Sequence, residues 1–568
     1  MAVNTQSVQQ NGMTCWKWLL PLVVAAIAAM ALYRSPFNAS DLGIVPDSVE
    51  YAVAGNRIAT DGRYDIVING QHFPPRYPPW FSLFVLAPTY LILGTEIGNA
   101  IYPVTLLAVI GVLAAFMIGR RISGNPGGLL AAMILLILPG YHQLGREIMT
   151  DVPCVALILL QCLVYLRLRS AQCTLPLLWF SLAGILAAIC GAFRPACYST
   201  LIPFFILAVS SREGREKLAR AIFLVFPGIV MIATTLRYNA VAIGSPFRSG
   251  YNFWCPVPYD YFNLTFSLRY VTANLEIALY CGLAPLLLVL MLIAVADRRR
   301  AQNATDAAFE PSLRDVVQFT VLGTAPIVVA HLFYFFPDGR FFLPATSLLA
   351  VAAGGLIGMR FTHARESSLL LAGLLVLAVV VAVRYTYPDV LPCRRMAAED
   401  IRQNTPKDAS VVSRIDPVYL SFFIGHDSKR RVIPLSRDVE YASKLIAPKK
   451  INDPQPPPRN CVDHRCSGLL KGGAREVIPR VFNENSDTAI NDLVQATSVY
   501  IDFSVMTKRE VKSVFRPQRT FDSVRRVNCL YELVPRTPQP SAPAGGQSEA
   551  GTSPQHIPGT QTSGARWQ

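Results

Sequence analysis

The chain has 568 residues, of which 52% are hydrophobic and only 16% charged, with a net charge of +15 and a mean hydropathy of +0.35. A soluble domain carries about 25% charged residues, so this balance excludes an ordinary soluble protein. The excess positive charge reads as basic cytoplasmic loops and phosphate-handling arginines and not as the footprint of a nucleic-acid partner.

The first apolar block runs from Trp16 to Tyr33 and is followed by Arg34-Ser35-Pro36. It lacks a small-residue cleavage site, so it reads as a retained span after a cytoplasmic N-terminus at 1–15. Further blocks lie at 80–96, 98–119, 127–142, 152–168, 175–192, 198–210, 221–237, 275–296, 316–336, 341–359 and 368–385. These predict a polytopic all-α membrane bundle of about 11–13 transmembrane helices, because a bilayer core is crossed by about 20 apolar residues. A crossing backbone must satisfy its own hydrogen bonds, so the blocks are expected to be helices.

Arg120-Arg121, Arg167 with Arg169, the run Arg212 to Arg220, Arg298 to Arg300, and Arg360 with Arg365 fall between alternate blocks. The positive-inside rule makes those loops cytoplasmic. The loops 143–151, 193–197, 238–274 and 337–340, and everything after 386, then face outward. One conflict follows. With the loop 34–79 external, two full crossings within 80–119 would put Arg120 outside. Either one stretch there stops short of crossing or a further span exists.

After Tyr385 the composition changes. Residues 386–535 are expected to form a small extracytoplasmic α/β domain. Its β-type runs are Ser410 to Val412, Arg431 to Ile433, Val499 to Ile501 and Leu530 to Leu533, with helical stretches at 394–404 and 487–496. A proline-rich loop from Pro454 to Arg459 interrupts it, and 536–568 has the composition of a disordered tail. Cys154, Cys162, Cys173, Cys190, Cys197 and Cys281 lie in or beside spans and read as inert apolar fillers. Cys393, Cys461, Cys466 and Cys529 lie in the outer domain, where a disulfide, a metal and free thiols all stay open; their pairing does not follow from spacing.

Ionisable residues gather in the external loops. Asp47 and Glu50 are three apart and share a helix face, as a general base or cation site would need; a capping box gives the same spacing. Arg146, Glu147 and Asp151 stand at the mouth of a span, where Thr150 or Asp151 also suits a helix cap. Arg194, Arg237 and Arg340 sit at outer span ends, against the orientation rule, and arginine is the side chain that forks onto phosphate. Tyr238-Asn239 and Gly244-Ser245-Pro246 read as a tight external turn.

The ordered set of Pro46-Asp47-Ser48-x-Glu50-Tyr51, Pro74-Pro75-x-Tyr77-Pro78-Pro79, Arg146-Glu147-x-x-x-Asp151-x-Pro153 and Gly339-Arg340-Phe341-Phe342-Leu343-Pro344 resembles the GT-C superfamily of membrane glycosyltransferases. The resemblance covers 16–385 and is nearest to bacterial protein O-mannosyltransferases and lipid A aminoarabinose transferases. It implies a GT-C catalytic module that takes a sugar from a polyprenyl-phosphate donor to a glycan, lipid or protein hydroxyl. The reaction would be an inverting single displacement on the extracytoplasmic face of a bacterial inner membrane. It maps the catalytic acids to Asp47, helped by Glu50, and Asp151. It maps the donor phosphate to Arg76 and Arg340, with Arg146 and Arg194 as further candidates, and Tyr51, His72, Tyr77 and Tyr334 to the substrate lining. No cofactor is required by the pattern, and a divalent cation at Asp47 and Asp151 is compatible with it. Asp-x-x-Glu replaces the adjacent acids of protein mannosyltransferases, which leaves the role of Glu50 open. The alternative reading is a transporter or flippase for a lipid-linked or anionic solute, which would require ionisable residues in mid-span.

Overall fold

The computed structural model describes residues 5–44, 46–170, 173–210, 213–254, 256–284, 286–287, 291, 311–361, 369–377, 380, 393–413, 415–425, 430–434, 499–502, 521–527 and 530–535. Among them, six helices are long and apolar enough to cross a membrane: Ile97–Ile137, Asp151–Arg169, Pro176–Phe193, Gly214–Ile243, Ser312–Leu332 and Gly339–Gly358. Shorter apolar helices occupy Leu19–Leu32, Ser82–Leu93 and Pro195–Val209.

The longest of these is two helices joined at a sharp bend. Its regular geometry breaks at Ser123 (φ −148°) and Gly124 (φ +71°), a left-handed value that glycine adopts without strain. The two arms then fold back on each other. A Cβ at Gly119 would lie 2.4 Å from the Gly127 carbonyl oxygen, and one at Gly128 would lie 2.8 Å from Phe116. The predicted spans 98–119 and 127–142 fall on these two arms, the second of which ends at Ile137, short of the separate helix Pro139–Leu144 that carries His142.

The conflict at 80–119 resolves at Ser82–Leu93. This segment is a π turn, Ser82–Leu86, followed by a helix, Ala87–Leu93. At a rise of about 1.5 Å per residue it reaches about 18 Å, well short of a hydrocarbon core of about 30 Å. It packs on the loop helix Asp47–Asp61, where Gly55 meets Leu86 and Tyr90, and a stretch too short to cross leaves Arg120 at the same end as Arg167, which lies beside Arg121. The expected full span at 80–96 is therefore corrected to a partial one.

Small residues set the helix contacts, as they do where lipid supplies no hydrophobic drive between helices. A Cβ on Gly354 would sit 2.4 Å from the Ala131 nitrogen, and one on Gly358 would sit 2.3 Å from the Gly127 Cα. The helix Leu343–Gly358 is thus central, with 83% of its apolar window buried. Gly214–Ile243 is peripheral, with 11% buried, and shows Phe226, Ile229 and Leu218 outward as a lipid-facing surface. Arg169 Nε meets Asp315 Oδ1 at 3.0 Å and joins two helices at the end opposite the candidate site.

Beyond the bundle, a five-stranded sheet has the order β4-β3-β5-β7-β6. Its strands are β3 (Ser410–Ser413), β4 (Arg431–Pro434), β5 (Val499–Asp502), β6 (Phe521–Val527) and β7 (Leu530–Pro535). The pairs β3–β4 and β3–β5 are parallel, and β5–β7 and β6–β7 are antiparallel. Helices Cys393–Asn404 and Pro417–Ile424 accompany the sheet. All four runs singled out in the sequence are strands; β6 and the helix Pro417–Ile424 are additions. The stretches 454–459, 487–496 and 536–568, and Cys461, Cys466 and Cys529, lie outside the described residues.

This part is tied to the loop 34–79. The loop carries a hairpin, β1 (Ile66–Ile68) and β2 (Gln71–Phe73), turned through Asn69 (φ +52°) and Gly70 (φ +76°). Asn-Gly favours that turn because both positions need positive φ. The Asn69 side chain donates to the Val432 carbonyl at 2.9 Å and accepts from the Val432 N–H at 2.7 Å. Arg394 donates to the Leu42 carbonyl at 2.9 Å, and the Tyr419 hydroxyl donates to the Ser40 carbonyl at 2.8 Å.

Candidate active site

The helix Asp47–Asp61 opens the loop chemistry. Pro46 occupies its N-cap position and no side chain caps it, so the capping-box reading of Asp47 and Glu50 does not hold. Both carboxylates point elsewhere. Asp47 Oδ2 accepts from Arg340 Nη1 at 2.6 Å, and its Oδ1 accepts from the Tyr77 hydroxyl. Arg340 is fixed from behind by Asp338, whose carboxylate lies 2.9 Å from Nε and accepts the Arg340 N–H at 3.0 Å.

Glu50 is fully buried and holds Arg76 twice: Oε1 accepts from Nε at 2.8 Å and Oε2 from the Arg76 N–H at 2.8 Å. Two bonds to one residue align the backbone that leads into Tyr77, so Glu50 acts on the shape of the loop.

The cap reading of the second cluster also fails. Thr150 stands at the N-cap of Asp151–Arg169 without a capping bond. Its hydroxyl accepts instead from Arg194 Nε at 3.2 Å, while Arg194 Nη2 meets Asp151 Oδ1 at 2.7 Å. Arg194 is the residue between Pro176–Phe193 and Pro195–Thr200. Burial opposes its charge, but the Asp151 carboxylate outweighs that and pushes its pKa up.

Tyr51 links the two clusters. Its buried phenol is pushed well above its ordinary pKa, first by burial and then by Asp47; a hydrogen bond with Thr150 opposes the shift. Tyr77 is also raised, by burial, with Tyr251 and Asp47 adding to it. Both phenols therefore stay protonated. Tyr51 and Tyr77 pack at 4.4 Å, Tyr77 and Tyr251 at 5.4 Å, and Tyr251 and Tyr259 at 4.9 Å. The Tyr259 and Tyr334 hydroxyls share a hydrogen bond of 2.5 Å. Phe341 lies under both arginines, 5.4 Å from Arg340 and 5.7 Å from Arg194.

The structure thus brings together Asp47, Tyr51, Tyr77, Asp151, Arg194 and Arg340, with Glu50 and Arg76 behind them. Arg146 is buried on the other side of its loop, where its carbonyl accepts from Arg34 at 3.0 Å. Arg34 also pairs with Glu147 at 2.8 Å, and burial raises the Glu147 pKa against the pull of that arginine. His72 is half exposed and bound to Asp65, away from this cluster. Asp338, Tyr251 and Tyr259 were not singled out in the sequence. Asp338 had a visible signal, being two residues before Arg340. Tyr251 sits beside Gly250, where a Cβ would meet the Pro75 carbonyl oxygen at 2.2 Å, so what reads as an outer turn is packed against the Pro-Pro stretch.

The side chains differ in access. Asp47, Arg340 and Arg194 are 13%, 16% and 21% exposed, while Glu50 and Asp151 are 0% and 1%. Asp47 is therefore the carboxylate of the set that a substrate can reach. Each acid of the pair Asp47 and Asp151 faces a guanidinium, Arg340 and Arg194 respectively.

Residues 77–237 match the family described as dolichyl-phosphate-mannose-protein mannosyltransferase. No curated protein matches the chain significantly. Among solved structures, ArnT from Cupriavidus metallidurans bound to undecaprenyl phosphate is similar at 12% identity and a TM-score of 0.55, covering 92% of this chain and 98% of ArnT. The same protein in the apo state is similar at 14% identity and a TM-score of 0.53, with the same coverage. The fold is thus the ArnT fold. Over 77–237 the chain thus resembles the dolichyl-phosphate-mannose-protein mannosyltransferases, and its six long apolar helices belong to a multi-pass membrane fold shared with ArnT.

Proposed function

We propose that the chain transfers a sugar from a polyprenyl-phosphate donor to an acceptor hydroxyl on the extracytoplasmic face, by a single inverting displacement. The observation that carries this reading is the Asp47–Arg340 pair: an accessible carboxylate and an accessible guanidinium 2.6 Å apart, joined from distant parts of the chain. The donor chemistry is supported by the ArnT structure, which is bound to undecaprenyl phosphate. The face is supported by charge: Arg120, Arg121, Arg167, Arg169 and Arg360 lie at the opposite end from Asp47.

The chemistry follows from the geometry. The donor phosphate draws Arg340 and Arg194 onto its oxygens, which frees Asp47 Oδ2. Asp47 then accepts the proton of the acceptor hydroxyl while that oxygen attacks the anomeric carbon. The bond from that carbon to the phosphate oxygen breaks, and the leaving polyprenyl phosphate carries its charge against the arginines. Tyr77 holds Asp47 in place through Oδ1. Asp151 keeps Arg194 charged and oriented, and Asp338 does the same for Arg340.

The deciding experiment uses purified protein in nanodiscs and a polyprenyl-phosphate sugar. Asp47→Asn is expected to lose transfer by a factor of about 10²–10⁴ while keeping its thermal unfolding profile. Wild-type rates in a folded Asp47→Asn protein would remove the reading.

A further inference from the structure

Three cysteines read as apolar fillers in the sequence converge in the fold. Cys154 lies on Asp151–Arg169, Cys190 on Pro176–Phe193 and Cys197 on Pro195–Thr200. Their sulfur atoms all lie within 4.8 Å of one another. All three are buried, at 0%, 0% and 2% exposure, and all are free thiols.

We infer that Cys154, Cys190 and Cys197 form a binding site for a soft monovalent d10 cation, of which Cu(I) is the physiological example. Three sulfurs around one ion at a metal–sulfur distance of about 2.3 Å stand about 4 Å apart, which these side chains reach by rotamer adjustment. Three thiols without an oxygen donor select soft ions. Zinc in a closed site takes four ligands, and only three converge here among the described residues. Charge favours the monovalent ion as well. Displacing one thiol proton makes a Cu(I) complex neutral, whereas a divalent ion must displace two in an apolar interior. In the metal-free arrangement Cys190 Sγ lies 3.6 Å from the Cys154 carbonyl oxygen, and Cys154 Sγ lies 3.8 Å from that of Cys190. These are weak bonds that a metal–thiolate bond replaces at little cost.

The position gives the site a consequence. Cys154 is one turn below Asp151, and the Cys197 N–H donates to the Arg194 carbonyl at 2.9 Å. An ion held by the three sulfurs would clamp the elements that carry the Asp151–Arg194 pair.

The test is anaerobic titration of the reduced full-length protein in detergent with Cu(I), against a chromophoric chelator, with Ag(I) as a second probe. The expected result is one Cu(I) retained per chain, a raised unfolding temperature, and X-ray absorption showing sulfur-only three-fold coordination. Each of Cys154→Ser, Cys190→Ser and Cys197→Ser is expected to weaken retention at least tenfold, and Cys162→Ser to leave it unchanged. A separate measurement covers variants that do not fold. In the wild type, Cu(I) should protect these three cysteines from maleimide under mild denaturation, as read by peptide mass spectrometry. The proposal is overturned if retention survives the triple substitution, if it is lost only with Cys461→Ser and Cys466→Ser, or if the three cysteines label equally with and without Cu(I).

Discussion

Arg340 reaches Asp47 across 293 residues of sequence and binds its Oδ2 at 2.6 Å, so the loop 34–79 and the start of the helix Gly339–Gly358 meet in one ion pair. Asp338 fixes the guanidinium from the other side at 2.9 Å. Arg340 is thus held in a planar orientation that leaves an edge to solvent. Arg340→Ala is predicted to reduce transfer by about 10²–10³-fold, the cost of removing a preorganised charge-stabilising donor. Arg340→Lys should recover part of this and show a raised donor KM, because an ammonium cannot fork onto phosphate. Rates measured against donor concentration check both; a donor KM unchanged in both variants argues against phosphate binding at this side chain.

Glu50 and Arg76 are predicted to matter for folding before chemistry. The pair is buried on both sides, at 0% and 6% side-chain exposure. Glu50→Ala alone leaves a buried guanidinium without its carboxylate, at a cost of about 3–5 kcal/mol. Replacing both, as Glu50→Leu with Arg76→Met, should restore most of that stability. Thermal unfolding in detergent of the single and double variants measures the difference.

His142 predicts an acid limit to stability. Burial, with Arg146 adding to it, lowers its pKa to about 4, against an ordinary value near 6.5. The folded state therefore binds fewer protons than the unfolded chain between those values. Stability should be intact above about pH 6.5 and decline as the pH falls through that window toward 4. His142→Gln should flatten the decline between pH 6.5 and 4. Equal slopes in the two proteins would assign the acid sensitivity to other groups.

Asn69 predicts how firmly the outer sheet is held. It makes two hydrogen bonds with the backbone of Val432, acting as one more pairing unit at the β4 edge. Asn69→Ala removes both and places a side chain at φ +52° that tolerates it less than asparagine. Faster amide exchange at 430–434, with the transmembrane helices unaffected, is the expected signature.

Much of the candidate site is legible in the sequence. The Asp47, Asp151, Arg194 and Arg340 set stands out because charge at a span end needs a reason. Local rules misassigned the partners. Spacing allowed a capping box at Asp47 and Glu50 and a cap at Thr150, yet those side chains bind Arg340, Arg76 and Arg194. The Asn69-Gly70 turn is legible in the sequence as a dipeptide suited to two positive φ angles. The cysteines left no signal at all, since positions 154, 190 and 197 have no metal-ligand spacing.

What the sequence determined by itself is the membrane bundle and its charge asymmetry, because bilayer thickness and backbone hydrogen bonding act on each segment independently. It also placed carboxylates and arginines at the same end. Only the tertiary structure decided that Ser82–Leu93 stops short of crossing, that Glu50 supports Arg76, and that Asp47 faces Arg340. The reason is the same in each case. Hydropathy is a property of a segment, whereas a depth, an ion pair or a cluster of sulfurs is a distance between segments that only packing sets.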